Sequence, residues 1–181
     1  MKHTPLFCLL LLATLLLLSQ CKKDDTDPLE QLPPATQTGA NTFGCLINGQ
    51  AWTPKGYNGA PNYSVSYDRI STGGVLDVRA YQIYGRGATD FQYINVFARR
   101  LSGVGSYSLR DPQDTKASFD EVKTNCYWST NDSATTYRRG TLTITRLDLT
   151  AGVISGTFDF TLYKPGCDSI RVTNGRFDKK L

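Results

Sequence analysis

Val153-Ile-Ser-Gly-Thr-Phe-Asp-Phe-Thr-Leu-Tyr163 decides the fold: Phe158, Phe160 and Leu162 alternate with Thr157, Asp159 and Thr161. That is the period of a strand with one face in a core and the other in water. Leu142 and Ile144 repeat the pattern upstream, and Ile170 and Val172 follow the Lys164-Pro165-Gly166 turn. Three consecutive alternating runs joined by short turns form an antiparallel meander.

Working back from it, residues 42–181 keep the same texture, short β-branched and aromatic runs broken by Gly, Asn, Asp and Ser, with no sustained 3.6-residue period. No repeat or second linker divides them, so one all-β antiparallel domain is expected. It can be a β-sandwich or a flattened up-and-down, lipocalin-like barrel. Phe43 to Ile47 and Gln50 to Thr53 flank Asn48-Gly49 and predict a tight hairpin, with Trp52 as cover for the core. Residues 63–71 and 75–84 predict another. A tip at residues 72–75 sets Asp68 opposite Arg79 and puts Tyr63, Val65 and Tyr67 on one face with Leu76, Val78 and Ala80.

Phe91 to Arg99 is apolar on both faces, Ile94, Val96 and Ala98 on one and Phe91, Tyr93 and Phe97 on the other. A central strand covered on both sides explains this, as does a strand lining a barrel cavity. Tyr93 and Phe97, with Tyr57 in the Gly-, Pro- and Asn-rich loop 54–62, are therefore the candidate ligand contacts. Residues 119–128 read as one strand that turns near Asn131 into another from about Tyr137.

The amino terminus carries a different message. Lys2 and His3 precede an apolar run, residues 6–18, of about 13 residues, short of the roughly 20 that span a bilayer. Residues 1–20 read as a signal peptide. Leu18-Ser19-Gln20-Cys21 resembles the lipobox of bacterial lipoproteins, which implies acylation of Cys21. Lys22-Lys23-Asp24-Asp25 is similar to the export signal of Bacteroidota surface lipoproteins, which implies an outer-membrane protein facing the medium. Residues 26–41 hold Pro28, Pro33 and Pro34 among Thr, Gln, Gly and Ala; residues 21–41 are thus expected to be a lipidated start and a flexible surface tether.

Of the five cysteines, Cys8 leaves with the signal and Cys21 takes the lipid, leaving Cys45, Cys126 and Cys167 in an oxidising compartment. The expected turns put Cys126 at the sheet end that carries the Cys167 loop, so these two are expected to pair and Cys45 to be a buried thiol.

Composition removes several functions. The net charge is +4 from 20 basic and 16 acidic residues, and +3 once Lys2 is gone, too mild to argue for nucleic acid. His3 is the sole histidine, so the mature chain lacks Ser-His-Asp and Cys-His catalysis and His-based zinc sites. Asp111, Asp114, Asp120, Glu121 and Asp159 could furnish a carboxylate pair, but nothing in their spacing marks one, and no Asp-x-Asp-x-Asp-Gly calcium loop occurs. Arg99-Arg100 and Arg138-Arg139 read as solvated edge charges. Neither an enzyme, a cofactor nor a metal is expected.

Phe43-Gly-Cys-Leu-Ile-Asn-Gly-Gln-Ala-Trp52, Gly156-Thr-Phe-Asp-Phe160 and Val172-Thr-Asn-Gly-Arg-Phe-Asp178 resemble segments of small Bacteroidota lipoproteins grouped as a domain of unknown function. The resemblance implies fold and location and names no activity. Asp132-Ser133-Ala134 and Asp168-Ser169-Ile170 are similar to the O-glycosylation signal of the same bacteria, which implies modification of Ser133 and Ser169, both at expected turns. The function expected is a non-catalytic surface module for a glycan, a lipid or a small apolar ligand; the alternative is an accessory lipoprotein that binds another envelope protein. An unfilled barrel favours the first and a filled sandwich with an exposed apolar patch the second.

Overall fold

The computed structural model describes residues 27–87 and 89–181. Cys21 and the Lys22, Lys23, Asp24 and Asp25 run, with the signal peptide before them, lie outside the described residues.

Eleven strands follow in order: β1 (Thr42–Ile47), β2 (Gln50–Trp52), β3 (Tyr63–Asp68), β4 (Val75–Ile83), β5 (Phe91–Arg99), β6 (Gly105–Ser108), β7 (Thr115–Glu121), β8 (Cys126–Ser129), β9 (Tyr137–Asp148), β10 (Val153–Lys164) and β11 (Asp168–Lys180). They form two antiparallel sheets, β2-β1-β11-β10-β9-β6 and β3-β4-β5-β7-β8. Neither closes on itself, so of the two expected architectures the chain adopts the sandwich. The meander is present as β9, β10 and β11, and β1 docks beside β11 so that the first and last strands of the domain are neighbours.

Alternation explains the layers. Phe158, Phe160 and Leu162 point inward with Leu142, Ile144, Ile170, Val172 and Phe177, and meet Leu76, Val78, Ile94, Val96, Ala117 and Phe119 from the other sheet. Burying each large apolar side chain contributes about 1.5–3 kcal/mol. The space between the sheets is filled, with Trp52 4% exposed at its margin and its Nε1 donating to Gln92 Oε1 at 2.7 Å. At Gly156 the ring of Phe177 lies 2.8 Å from where a Cβ would stand, a close approach that only glycine permits.

The Asn48-Gly49 hairpin forms as expected, with φ of 49° and 84° at its two turn residues. Four expectations are corrected. Residues 119–128 are not one strand: β7 ends at Glu121, a 3-10 turn follows at Val122–Thr124, and β8 returns with Glu121 opposite Cys126. Between β3 and β4 the faces are as expected but the pairing is Tyr63 with Ala80 and Asp68 with Val75, so Arg79 stands opposite Ser64. Asp68 instead starts the turn, accepting from the N–H of Ile70 and Ser71, and Arg79 pairs with Asp77 on its own strand. The second face of β5 is neither covered by a layer nor inside a barrel; Phe91, Tyr93 and Phe97 are half-buried on the outer surface.

The fourth correction concerns the tether. From Asp27 onward residues 27–41 pack on the domain. Leu32 is 7% exposed, and Pro33 sits 2.8 Å from where a Cβ on Gly44 would be. Asp178 holds the segment. Phe177 turns into the core, so Asp178 turns to the outer face, where its carboxylate accepts from Thr36 Oγ1 (2.7 Å), Thr38 N (3.0 Å), Gly39 N (2.8 Å), Ala40 N (3.0 Å) and Ser155 Oγ (2.7 Å). Arg146 adds a bond to the carbonyl of Gln37 at 2.5 Å.

Cys126 and Cys167 form a disulfide, with Cα atoms 5.6 Å apart, while Cys45 is a buried free thiol. Because Cys126 opens β8 and Cys167 lies between β10 and β11, the bond ties the two sheets at one end. Lys164 reinforces that end, donating to the Tyr127 carbonyl at 3.1 Å and to Asp132 at 2.9 Å.

Candidate ligand-binding face

The outer surface of the five-stranded sheet brings together residues that are far apart in sequence. Register sets Tyr81, Tyr93, Asp120 and Tyr127 in one row across β4, β5, β7 and β8. The next row is Arg79, Asn95, Ser118 and Ser129, and the third is Asp77, Phe97 and Lys116. Neighbours within a row stand about 5 Å apart, so a carboxylate lies between two tyrosines, with a phenylalanine two rows further along.

Each group is fixed by local chemistry. Tyr81 is buried because loop 54–62 folds over it: its hydroxyl donates to the Ala60 carbonyl at 2.6 Å and accepts from Asn58 N at 3.1 Å, and its ring stacks on Phe91 at 5.3 Å. Asn95 is 7% exposed at the floor and donates to Asp77 Oδ1 at 2.6 Å and to the Val78 carbonyl at 3.1 Å. Asp77 also accepts from Arg79. The Arg99 guanidinium lies over the Phe97 ring at 5.6 Å. A depression of about 350 Å³ runs between Phe97, Arg99, Arg79 and Lys116.

Burial, aided by the neighbouring Glu121, raises the Asp120 carboxyl above its ordinary value, and burial likewise raises Tyr93. Tyr127 moves the other way: burial alone would raise it, but hydrogen bonds with Ser129, Lys116 and Ser118 leave it below the usual phenol range. The face therefore offers ring faces for apolar contact, with an acceptor at Asp120 and donors at Arg79 and Lys116. This is the composition of a site for a ligand that is apolar on one side and rich in hydroxyls on its edges.

Of the three expected ligand contacts, Tyr93 and Phe97 share this face. Tyr57 does not; it is 75% exposed in loop 54–62. The carboxylates do not gather: Asp120 and Asp159 lie on opposite outer faces, Asp114 pairs with Arg100 at 3.0 Å, and Glu121 accepts from Tyr84 at 2.8 Å. Among the described residues no group of three or more His, Cys, Asp or Glu could hold a metal ion. Ser133 is exposed in its turn, where Asp132 accepts from Ala134 N at 3.0 Å. Ser169 is exposed but not in a turn; it belongs to β11 and pairs with Tyr163, because Asp168, with φ 59°, already begins the strand.

Asp120, Tyr127 and Asn95 were not singled out as contacts from sequence. Reading residues 119–128 as one strand hid the hairpin that carries Asp120 and Tyr127 to the side of Tyr93.

The fold and this face define a class: an all-β sandwich with a filled core and an aromatic and polar surface across one sheet. The family model described as a domain of unknown function, DUF6252, matches residues 77–179, more than half of the chain, and the chain belongs to that family. No curated protein and no solved structure matches it.

Proposed function

We propose that the protein is a non-catalytic glycan-binding module, held in the outer membrane through lipid on Cys21 and displayed at the surface of a Bacteroidota-type cell. The observation that carries the binding reading is the row Tyr93, Asp120 and Tyr127 on an open sheet face, with Phe97 two rows away on the same face. Pyranose rings present C–H faces that stack on such side chains and hydroxyls that bond to a carboxylate between them. The filled interior favours a surface ligand over a lipid or small apolar molecule held inside the sandwich. O-glycosylation at Ser133 is compatible with this role, since that turn lies outside the proposed contact rows.

The test is thermal unfolding of the intact protein with panels of neutral host and bacterial oligosaccharides. A ligand at 100 times its Kd stabilises by about 2.7 kcal/mol, which raises the midpoint by several degrees in a domain of this size. Tyr93→Ala and Phe97→Ala should abolish the shift while leaving the unliganded midpoint nearly in place. A shift that survives both substitutions, or no shift with any glycan, would reject the site.

A further inference from the structure

The outer face of the six-stranded sheet holds a second arrangement, distinct from the first. Register places Arg139 of β9 opposite Thr161 of β10, and Thr161 opposite Arg171 of β11. The two arginines are thus two inter-strand spacings apart, about 10 Å between backbones, with a hydroxyl between them. In the adjoining row Tyr137 and Tyr163 stand directly opposite each other, 48% and 39% exposed. On the far side of the arginine row lies Asp159, and Tyr137, Arg139, Asp159, Thr161 and Arg171 border a depression of about 550 Å³.

Alignment sets this row apart: Arg69, Arg86 and Arg110 also lack a side-chain partner among the described residues, but they lie in separate bends and turns. Arg79, Arg100 and Arg146 are paired with carboxylates, and Arg138 and Arg176 donate to backbone carbonyls. The guanidinium groups of Arg139 and Arg171 have no partner among the described residues, although Asp159 is close by in the sheet. Each exposed, unpaired guanidinium is free to take a carboxylate without first giving up an internal ion pair. Guanidinium forks bind carboxylates in bidentate fashion, and exposed tyrosines in the next row offer ring faces.

We propose that this row is a second binding site, for an acidic polysaccharide that carries a carboxylate on every second sugar. The arginine spacing matches two linked pyranose rings rather than one, so successive carboxylates meet Arg139 and Arg171. Thr161 bonds the intervening sugar, and Tyr137 and Tyr163, in the adjoining row beside Arg139 and Thr161, pack along the flank of the same stretch. The site is on the opposite side of the sandwich from Tyr93 and Phe97, so it stands or falls separately from the neutral-glycan face.

The experiment is calorimetric titration of the intact protein with a hyaluronan octasaccharide, in which uronates alternate with neutral sugars. Saturable binding is expected, weakened about tenfold or more by Arg139→Gln or Arg171→Gln, lost in the double variant, and unchanged in Tyr93→Ala. The carboxyl-reduced octasaccharide should not bind. Both arginines are exposed, so the variants should unfold at the wild-type temperature, and Arg139→Lys, which keeps the charge without the fork, should bind with intermediate affinity. The proposal is overturned by no binding of the octasaccharide, by equal binding of its carboxyl-reduced form, or by equal binding in the double variant. Binding confined to phosphatidylglycerol vesicles would overturn it as well, assigning the arginines to a lipid surface.

Discussion

The two outer faces of the sandwich are built from the same alternating pattern, yet each has outward positions that end in opposite states. On the six-stranded sheet, the outward position Asp178 is 1% exposed because residues 36–40 fold over it. On the five-stranded sheet, the outward positions Tyr93 and Phe97 remain half-open. Polarity alone therefore does not assign a strand residue to water. A polar side chain becomes a structural anchor when backbone N–H groups from another segment converge on it, and an aromatic one becomes surface when no layer arrives to cover it.

The largest effect expected from breaking this contrast is at Asp178. Replacing it with Ala removes the acceptor of three hydroxyls and three backbone N–H groups, of which only Ser155 is in a fully buried bond; a donor left buried and unpaired costs about 1–3 kcal/mol, and less where water reaches it. A net loss of roughly 3 kcal/mol or more is expected in urea unfolding, together with faster amide exchange at residues 38–40. An unchanged midpoint would mean that the segment is not anchored there. Reducing the Cys126–Cys167 bond comes next, with an expected loss of about 2–4 kcal/mol measured as the midpoint with and without reductant.

A pH series sharpens the same comparison. Burial alone would raise the Asp178 carboxyl, but the bonds from Ala40, Thr36, Ser155 and Gly39 outweigh it and hold the group far below the ordinary carboxylate value of 3.8. A depressed folded-state value means that the anchor contributes fully above pH 3.8 and that its contribution is lost as the pH falls below it toward the folded value. Asp178→Asn, which keeps the shape and removes the titrating group, should flatten stability in that window. The smallest effect is expected on the open face: Tyr93→Ala and Phe97→Ala should each change stability by about 1 kcal/mol or less, since a half-exposed ring gives up little burial, and should act on binding instead.

Much of this fold was legible because alternation records burial directly. β9, β10 and β11 follow from Leu142, Phe158, Phe160 and Val172, and the turn around Gly166 brought Cys167 to the end that Cys126 occupies. The Cys pairing was right even though the strand proposed to carry Cys126 was really a hairpin. Docking of residues 27–41 was not legible: three of its bonds to Asp178 come from backbone N–H groups, which composition does not show, and its Pro, Thr and Gln content is that of a linker. The β3–β4 register was missed because Ser71-Thr-Gly-Gly74 accommodates several turn lengths, and a plausible Asp68–Arg79 pair favoured the wrong one.

For the candidate face, Tyr93 and Phe97 were visible in an unusually apolar strand, whereas Asp120 and Tyr127 needed the strand order β4-β5-β7-β8. Arg139 reads as an edge charge in the sequence because its cross-strand alignment with Arg171 through Thr161 exists only once the sheet is assembled.

The most direct test of the central claim is an amide chemical-shift titration of the protein with whichever neutral oligosaccharide raises its melting temperature. The account predicts perturbations concentrated at Arg79, Tyr93, Asn95, Phe97, Asp120 and Tyr127. Shifts confined to residues 27–41, to the loops at the disulfide end or to the opposite sheet would contradict it.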